Sequence, residues 1–204
     1  MKLRRQLPFP KKAVAWLLTA ACALAAPGRI GAQDRSGSSV RAQVSSLFSL
    51  SQFVTWPAGK FPTPTSPLIV GFYNVPALED QFAEANTGRE MDARRFVVRH
   101  VASDADIRSC HMLFVGRAEP RRIKSILNET RRSNVLSVGN ADDFTASGGA
   151  VTFALVRETV RLQINVEALR RAGLKMSSGL LRLPIVDLVN ADGRTVNADT
   201  KMFR

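Results

Sequence analysis

The chain has 204 residues, of which 45% are hydrophobic and 23% charged, the composition of a globular protein and not of a disordered, collagen-like or multi-span membrane chain. A chain of this length buries enough surface to fold as one domain without disulfides or a metal. The formal net charge of +12 suggests an anionic partner, but the basic residues are unevenly distributed.

The first 32 residues have the organisation of a secretory signal. They contain six basic residues and no acidic ones, which leaves 23 bases against 17 acids in the rest of the chain. The apolar run Ala13–Ala26 follows the basic start, and its 14 residues are fewer than the roughly 20 that span a bilayer. We predict a signal peptide over 1–32, cleaved after Ala25 or Ala32, with no stable membrane span after its removal. An uncleaved anchor and lipidation at Cys22 are the alternatives.

The next residues predict a leader and then an amphipathic helix. Residues 33–39 are polar and rich in Gly and Ser, as is typical of a flexible leader. The folded domain is predicted over 40–186, and its first helix carries an apolar stripe from Val40 to Trp56 that stops at Pro57. We interpret Trp56 as a core residue at the end of this stripe, with a surface position as the alternative.

Strands and helices alternate along the rest of the domain. Short apolar runs predict strands over 68–73, 95–101, 112–116, 135–138, 151–156 and 160–166. Apolar spacing and capping residues predict helices over 77–86, 103–109, 119–132, 141–146 and 167–173. This order predicts an α/β fold of three layers, Rossmann-like, with a mostly parallel sheet, helices on both faces and an antiparallel hairpin at one edge. The tail, 187–204, is predicted to be a hairpin excursion or a mobile end.

The motifs of common enzyme classes are missing from this sequence. No glycine-rich nucleotide motif follows a strand, and no serine nucleophile elbow is present. The pair Gly148-Gly149 precedes a strand, so a turn explains it better than phosphate binding. The carboxylate pairs Asp142-Asp143 and Glu79-Asp80 stand where acids commonly open helices. These residues give no support for an enzyme, which stays open as a third alternative, and we predict no catalytic residue and no cofactor.

Cys110 and His111 admit more than one interpretation. Cys110 is the one cysteine left after signal removal, and it is either a small buried residue beside a strand or a reactive or intermolecular thiol. The core strand behind it favours burial. His111 suggests a metal ligand, but the other histidine, His100, is not at a metal-binding spacing, so we predict no metal site.

The segment after the last predicted helix is apolar but interrupted by small polar residues. It is either a final core element or an apolar surface for a partner. Under the second interpretation the partner contacts are Leu174, Leu180, Leu181 and Leu183, with Arg182 as a polar anchor. Nucleic acid is not a partner for an exported protein.

The order of motifs from residue 40 to about 186 resembles the YfiR family of periplasmic signalling proteins. The similarity is carried, in order, by residues 53–57, 68–71, 95–99, 109–115, 135–138, 147–151, 160–165, 170–174 and 177–183. Two positions depart from the family's pattern. The mature chain has only Cys110 where members often have disulfide-forming cysteines, and Tyr73–Pro76 replaces an acidic turn.

The resemblance implies a periplasmic, non-catalytic regulator that forms a homodimer. Such a regulator binds the sensor domain of an inner-membrane diguanylate cyclase or histidine kinase and represses or modulates cyclic di-GMP signalling and biofilm formation. The alternative function is binding of a small molecule at the carboxyl ends of the parallel strands, where open α/β sheets place ligands. The residues predicted for that site are Gly71, Phe72, Gly116 and Gly139.

Overall fold

A computed structural model of the chain describes residues 32–91, 94–156, 159–190 and 192–196. The predicted signal peptide therefore lies outside the described residues except for Ala32, at which the first helix begins. In the described ranges no helix has both the length and the apolar character needed to cross a bilayer. The elements are α1 (Ala32–Ser51), β1 (Val54–Thr55), β2 (Leu68–Tyr73), α2 (Pro76–Ala85), β3 (Glu90–Met91), β4 (Arg94–His100), α3 (Asp104–Ser109), β5 (Met112–Val115), α4 (Pro120–Arg132), β6 (Leu136–Gly139), β7 (Val151–Val156), β8 (Thr159–Asn165), α5 (Val166–Arg171), β9 (Lys175–Met176), α6 (Ser178–Leu181) and β10 (Val186–Val189).

Eight strands form the main sheet in the order β10-β8-β7-β6-β5-β2-β4-β3. Neighbouring strands run parallel except for β7 with β8 and β3 with β4. The strands β1 and β9 form a separate antiparallel pair. The predicted α/β fold with a mostly parallel sheet is confirmed.

Helices cover both faces of the sheet because side chains alternate along each strand. In β2, Leu68, Val70 and Phe72 belong to one buried cluster, whereas Ile69 and Tyr73 pack on another. The first cluster includes residues of α1, α2, α5 and α6, and the second includes residues of α3 and α4. Each face therefore has its own core.

The first helix differs from the prediction at both of its ends. It includes Asp34–Ser39, where a flexible leader is predicted, because extending an existing helix adds one hydrogen bond for each residue that is ordered. It ends at Ser51, before the rest of the predicted stripe. Val54 and Thr55 form β1 instead, paired with Met176 and Lys175.

The predicted hairpin of β7 and β8 forms, but it is not at the edge of the sheet. Strand β10 adds parallel to β8, with Val186 opposite Leu162. The chain then turns back, and the Val196 N–H donates to the Leu188 carbonyl at 2.7 Å. The hairpin alternative for the tail is therefore correct as far as residue 196, and residues 197–204 lie outside the described ranges. The predicted domain boundary at 186 falls at the start of this strand.

Residues 141–148 form turns and not the predicted helix. Phe144 points into the core, where a Cβ added at Gly139 would lie 2.7 Å from its ring. Gly148 has a φ of +100°, a conformation that favours glycine. The predicted turn at Gly148-Gly149 is therefore confirmed, and it leads directly into β7.

Candidate functional site

The structure divides the predicted partner contacts of the C-terminal segment. Leu174 and Leu180 are buried in the core, so these two are not available to a partner in this conformation. Leu181 is half-buried, whereas Arg182 and Leu183 are exposed. Of the predicted contacts, Leu181, Arg182 and Leu183 are therefore the ones that remain accessible.

Helix α5 has a C-terminal cap that explains the burial of Leu174. Gly173 has a φ of +69°, and its N–H donates to the Arg170 carbonyl. The Leu174 N–H returns to the Leu169 carbonyl at 3.0 Å. This is the Schellman arrangement, in which the residue after the glycine packs on the last turn of the helix. A glycine at the end of a helix followed by leucine is the sequence signal that predicts this burial.

Most of the exposed large apolar side chains gather at one end of the sheet. Leu155 and Val156 end β7 with exposed fractions of 48% and 46%, and Leu183 and Ile185 precede β10 with 40% each. Leu155 lies opposite Val160, and the Ile185 carbonyl accepts from the Leu162 N–H, so the two segments flank the start of β8. We name Leu155, Val156, Leu183 and Ile185 the apolar end.

An ion pair fixes β10 beside the apolar end. The Arg161 guanidinium on β8 donates through Nη2 and Nε to the two carboxylate oxygens of Asp187 at 2.8 and 3.1 Å. This hydrogen bonding raises the pKa of Arg161 above its ordinary value. A two-point contact between planar groups restricts orientation as well as distance. The backbone that carries Ile185 is thereby held against β8.

The sequence interpretation did not select Leu155, Val156 or Ile185. Two consecutive apolar residues at the end of a strand point to opposite faces, so both can reach the core only where helices cover both faces. The sequence Leu155-Val156 directly before the hairpin turn is therefore the signal that indicates exposure.

The residues predicted for ligand binding at the strand ends serve mainly in packing. Phe72 is fully buried, and a Cβ at Gly71 would lie 2.6 Å from the Cys110 sulfur, so neither faces a cavity. Gly116 is packed against Asn74, and Gly139 against Phe144. These glycines allow close approach of neighbouring groups, and the open space at this edge of the sheet is lined mainly by the loops that follow the strands.

Two cavities open at these strand ends. The first, of about 470 Å³, lies after β2 and β5 and is lined by Tyr73, Asn74, Arg117, Ala118, Glu119 and Arg122. The second, of about 400 Å³, lies after β5 and β6 and shares Arg117 and Ala118 with the first. Strand β2 has β4 on one side and β5 on the other, so the first cavity lies where the strand order reverses. Open α/β sheets bind ligands at this place.

Comparison with known families identifies the chain. The profile of the YfiR/HmsC-like family matches residues 40–184. The chain belongs to this family. The resemblance predicted from the motifs is therefore confirmed. YfiR/HmsC-like proteins are in general periplasmic, non-catalytic regulators of cyclic di-GMP signalling. A comparison with curated proteins finds no match.

Three of the motifs that carry the YfiR/HmsC-like resemblance meet in the folded protein. The Trp56 indole N–H donates to the His111 carbonyl at 3.0 Å, and Trp56 is buried, as predicted. His111 Nδ1 accepts from the Ile69 N–H at 3.0 Å. The Phe61 ring stacks on the imidazole at 4.2 Å, and the Arg94 guanidinium lies 3.9 Å above Phe61. These contacts join the loop after β1 to the start of β5.

His111 is held as a neutral ring. Because Nδ1 accepts a hydrogen bond, the proton is on Nε2, which faces the Lys60 carbonyl at 3.4 Å. Burial, together with the nearby Lys60 ammonium, lowers the pKa of His111 to about 4. Both ring nitrogens are occupied. In the described ranges no group of three or more His, Cys, Asp and Glu residues is placed to bind a metal ion.

Cys110 is a buried free thiol, which confirms the first of its two interpretations. Its sulfur donates to the Asp106 carbonyl at 3.2 Å. Burial raises the pKa of the thiol to about 11. Because the thiolate is the reactive form, Cys110 is inert at neutral pH.

Proposed function

We propose that this YfiR/HmsC-like protein is a periplasmic regulator that binds the sensor domain of an inner-membrane diguanylate cyclase or histidine kinase through the apolar end. The observation that carries the proposal is the clustering of Leu155, Val156, Leu183 and Ile185, each at least 40% exposed. Among the described residues the remaining exposed large hydrophobic side chain, Val97, lies on β4, on the far side of the sheet.

The surroundings of the apolar end resemble a protein interface in their chemistry. Interfaces commonly have an apolar centre within a polar rim, and arginine is enriched among the residues that contribute most. Arg182 is exposed beside Leu183, and the Arg161–Asp187 pair lies at the base of β10. The rim therefore supplies directional contacts, and the apolar side chains supply the buried area.

The test is crosslinking in the bacterium that encodes the protein, with Val156→Asp compared with Val97→Asp. Both positions are exposed valines of strands, with exposed fractions of 46% and 39%, so the two substitutions perturb folding alike. The tagged protein is crosslinked in intact cells, recovered, and its membrane partners are identified by mass spectrometry at matched periplasmic levels.

We expect the unmodified chain and Val97→Asp to recover an inner-membrane protein with a periplasmic domain and a cytoplasmic cyclase or kinase domain. Val156→Asp should recover at least about tenfold less, because a carboxylate is costly to bury in an interface. Recovery of the protein alone, or equal recovery with both variants, contradicts the proposal. The homodimer that the resemblance implies stays a prediction for sedimentation analysis.

A second function, binding of a small polar molecule, is favoured by the cavity at the strand-order reversal. Arg122 in its wall is held by Asp104 at 2.9 Å and lies over the Tyr73 ring, so the wall is preorganised. A thermal-shift screen of small polar metabolites should find a compound that stabilises the unmodified protein and not Arg117→Gln. If no compound raises the melting temperature of the unmodified protein while partner binding is intact, this function is excluded.

A further inference from the structure

A third cavity lies next to the second strand-end cavity, with which it shares Ser147, and away from the apolar end. It has a volume of about 150 Å³ and lies between α4, the turn before β7, and α5. The apolar end includes the last two residues of β7, whereas Ser147 and Gly148 of this cavity precede the strand, so the two are separated by about the length of the strand, roughly 20 Å. Its lining residues are Lys124, Leu127, Asn128, Thr130, Arg131, Val135, Ser137, Ser147, Gly148, Ala168, Arg171 and Ala172.

The charged residues of this lining are all cationic. Lys124, Asn128 and Arg131 are spaced by four and three residues, so they share one face of α4. Arg171 enters from α5 on the other side. Among the residues that the structure describes, no Asp or Glu lines the cavity. Three cations from two helices therefore converge without a carboxylate between them.

Little else in the described part of the chain neutralises these cations. Arg131 donates to the side-chain oxygen of Asn128 at 3.1 Å and has no carboxylate partner there. Arg171 Nε donates to the Glu167 carbonyl at 3.4 Å but reaches its carboxylate only at 3.8 Å, and Arg170 holds that carboxylate at 2.8 Å. Lys124 has no ion pair among the described residues. The cavity is therefore electropositive.

The rest of the lining leaves room for an anion and adds hydrogen-bond donors. Ala168 and Ala172 are small residues one turn apart on the α5 side. Ser137 Oγ accepts from the Ala150 N–H at 3.0 Å, which leaves its own proton free to donate. Its volume of about 150 Å³ has room for several waters, and so for a small anion.

We propose that this cavity binds a phosphate group. Guanidinium groups match phosphate oxygens through paired N–H donors, and the lysine ammonium adds a compact positive charge. The proposal rests on the basic side chains and not on the glycine pair, of which only Gly148 lines the cavity. It is also independent of partner binding at the apolar end, so the failure of either leaves the other standing.

The experiment titrates the protein with inorganic phosphate and measures binding by calorimetry and by the shift in melting temperature. Chloride at matched ionic strength is the salt control. The variants are Lys124→Gln and Arg131→Gln. The matched control is Arg132→Gln, because Arg132 is the adjacent arginine of the same helix and does not line the cavity. All of these side chains are exposed, so the variants should fold.

We expect the unmodified chain and Arg132→Gln to bind phosphate saturably. The affinity of Lys124→Gln and of Arg131→Gln should be at least about tenfold weaker, because each loses a hydrogen bond to a charged group. A parallel titration with glycerol phosphate, the soluble analogue of a lipid headgroup, distinguishes a free phosphate from a phosphoester as the natural source. Binding of neither compound, an equal effect of chloride, or equal loss in Arg132→Gln overturns the proposal.

Discussion

His111 joins two distant parts of the chain and does so only as a neutral ring. Its Nδ1 accepts from the start of β2, its carbonyl accepts from Trp56, and Phe61 covers its face. Protonation converts Nδ1 from acceptor to donor and leaves it facing the Ile69 N–H. The neighbouring Lys60 and Arg94 cations add repulsion to this loss.

This arrangement predicts a loss of stability in mild acid. The pKa of His111 is about 4 in the folded protein and about 6.5 in an unfolded chain. Between these values the unfolded chain binds more protons, so the free energy of unfolding falls as the pH drops through this window, by about 3 kcal/mol at most. Urea unfolding at about pH 7 and about pH 4.5 should show the decrease in the unmodified protein and a smaller one in His111→Asn.

His100 supplies the control for this prediction. It is exposed, and its hydrogen bond to Glu79 raises its pKa, the opposite direction from His111. His100→Asn should therefore keep the acid-induced decrease that His111→Asn diminishes. An equal decrease in the unmodified protein and His111→Asn would show that the carboxylates, and not the buried imidazole, set the acid sensitivity.

At the scale of elements, the sequence predicted what depends on local pattern. The apolar run predicts β2, and the capping residues Ser103 and Asp106 predict α3. The structure contains both elements. The predictions are wrong where contact with a segment that is distant in sequence determines the local structure. Val54 and Thr55 continue a helical stripe by pattern, yet pairing with β9 makes them a strand.

The turn between β6 and β7 illustrates the same limit. Residues 141–146 have a helix-like pattern, but Phe144 packs against Gly139 and Gly149. Asn165 then links this turn to α5, since its side chain donates to the Thr145 carbonyl and accepts from the Ala168 N–H. A buried asparagine with both groups satisfied holds two segments in one arrangement. No local pattern in the sequence indicates this link.

The candidate sites were predictable only in part for a similar reason. Composition and sheet topology point to candidate regions near the C-terminus and at the strand ends, and both stay predictions. Burial of Leu174 and Leu180 depends on where α5 ends and on what the α6 turn packs against. Convergence of Lys124 with Arg171 depends on two helices that are distant in sequence. Such contacts follow from the fold and not from spacing.

At the scale of the whole molecule, neighbouring residues of one short segment serve different purposes, one in the stability of the core and another in the proposed partner binding. Leu180 packs in the core, whereas Leu183, three positions later, belongs to the apolar end with 40% exposure. Leu180→Asp removes apolar burial and places a carboxylate among apolar side chains, which should cost at least about 3 kcal/mol, or about 6 to 12 °C in melting temperature. Leu183→Asp should change stability by no more than about 0.5 kcal/mol.

The same pair should respond oppositely in partner capture, and this comparison tests the division of the molecule directly. Leu183→Asp, folded and exported at the normal level, should lose crosslinking to the membrane partner because it introduces charge into the apolar end. Thermal unfolding followed by circular dichroism, together with crosslinking in cells, measures both effects. If Leu183→Asp lowers the melting temperature as much as Leu180→Asp does, the segment is core throughout, and the apolar end cannot be the docking surface.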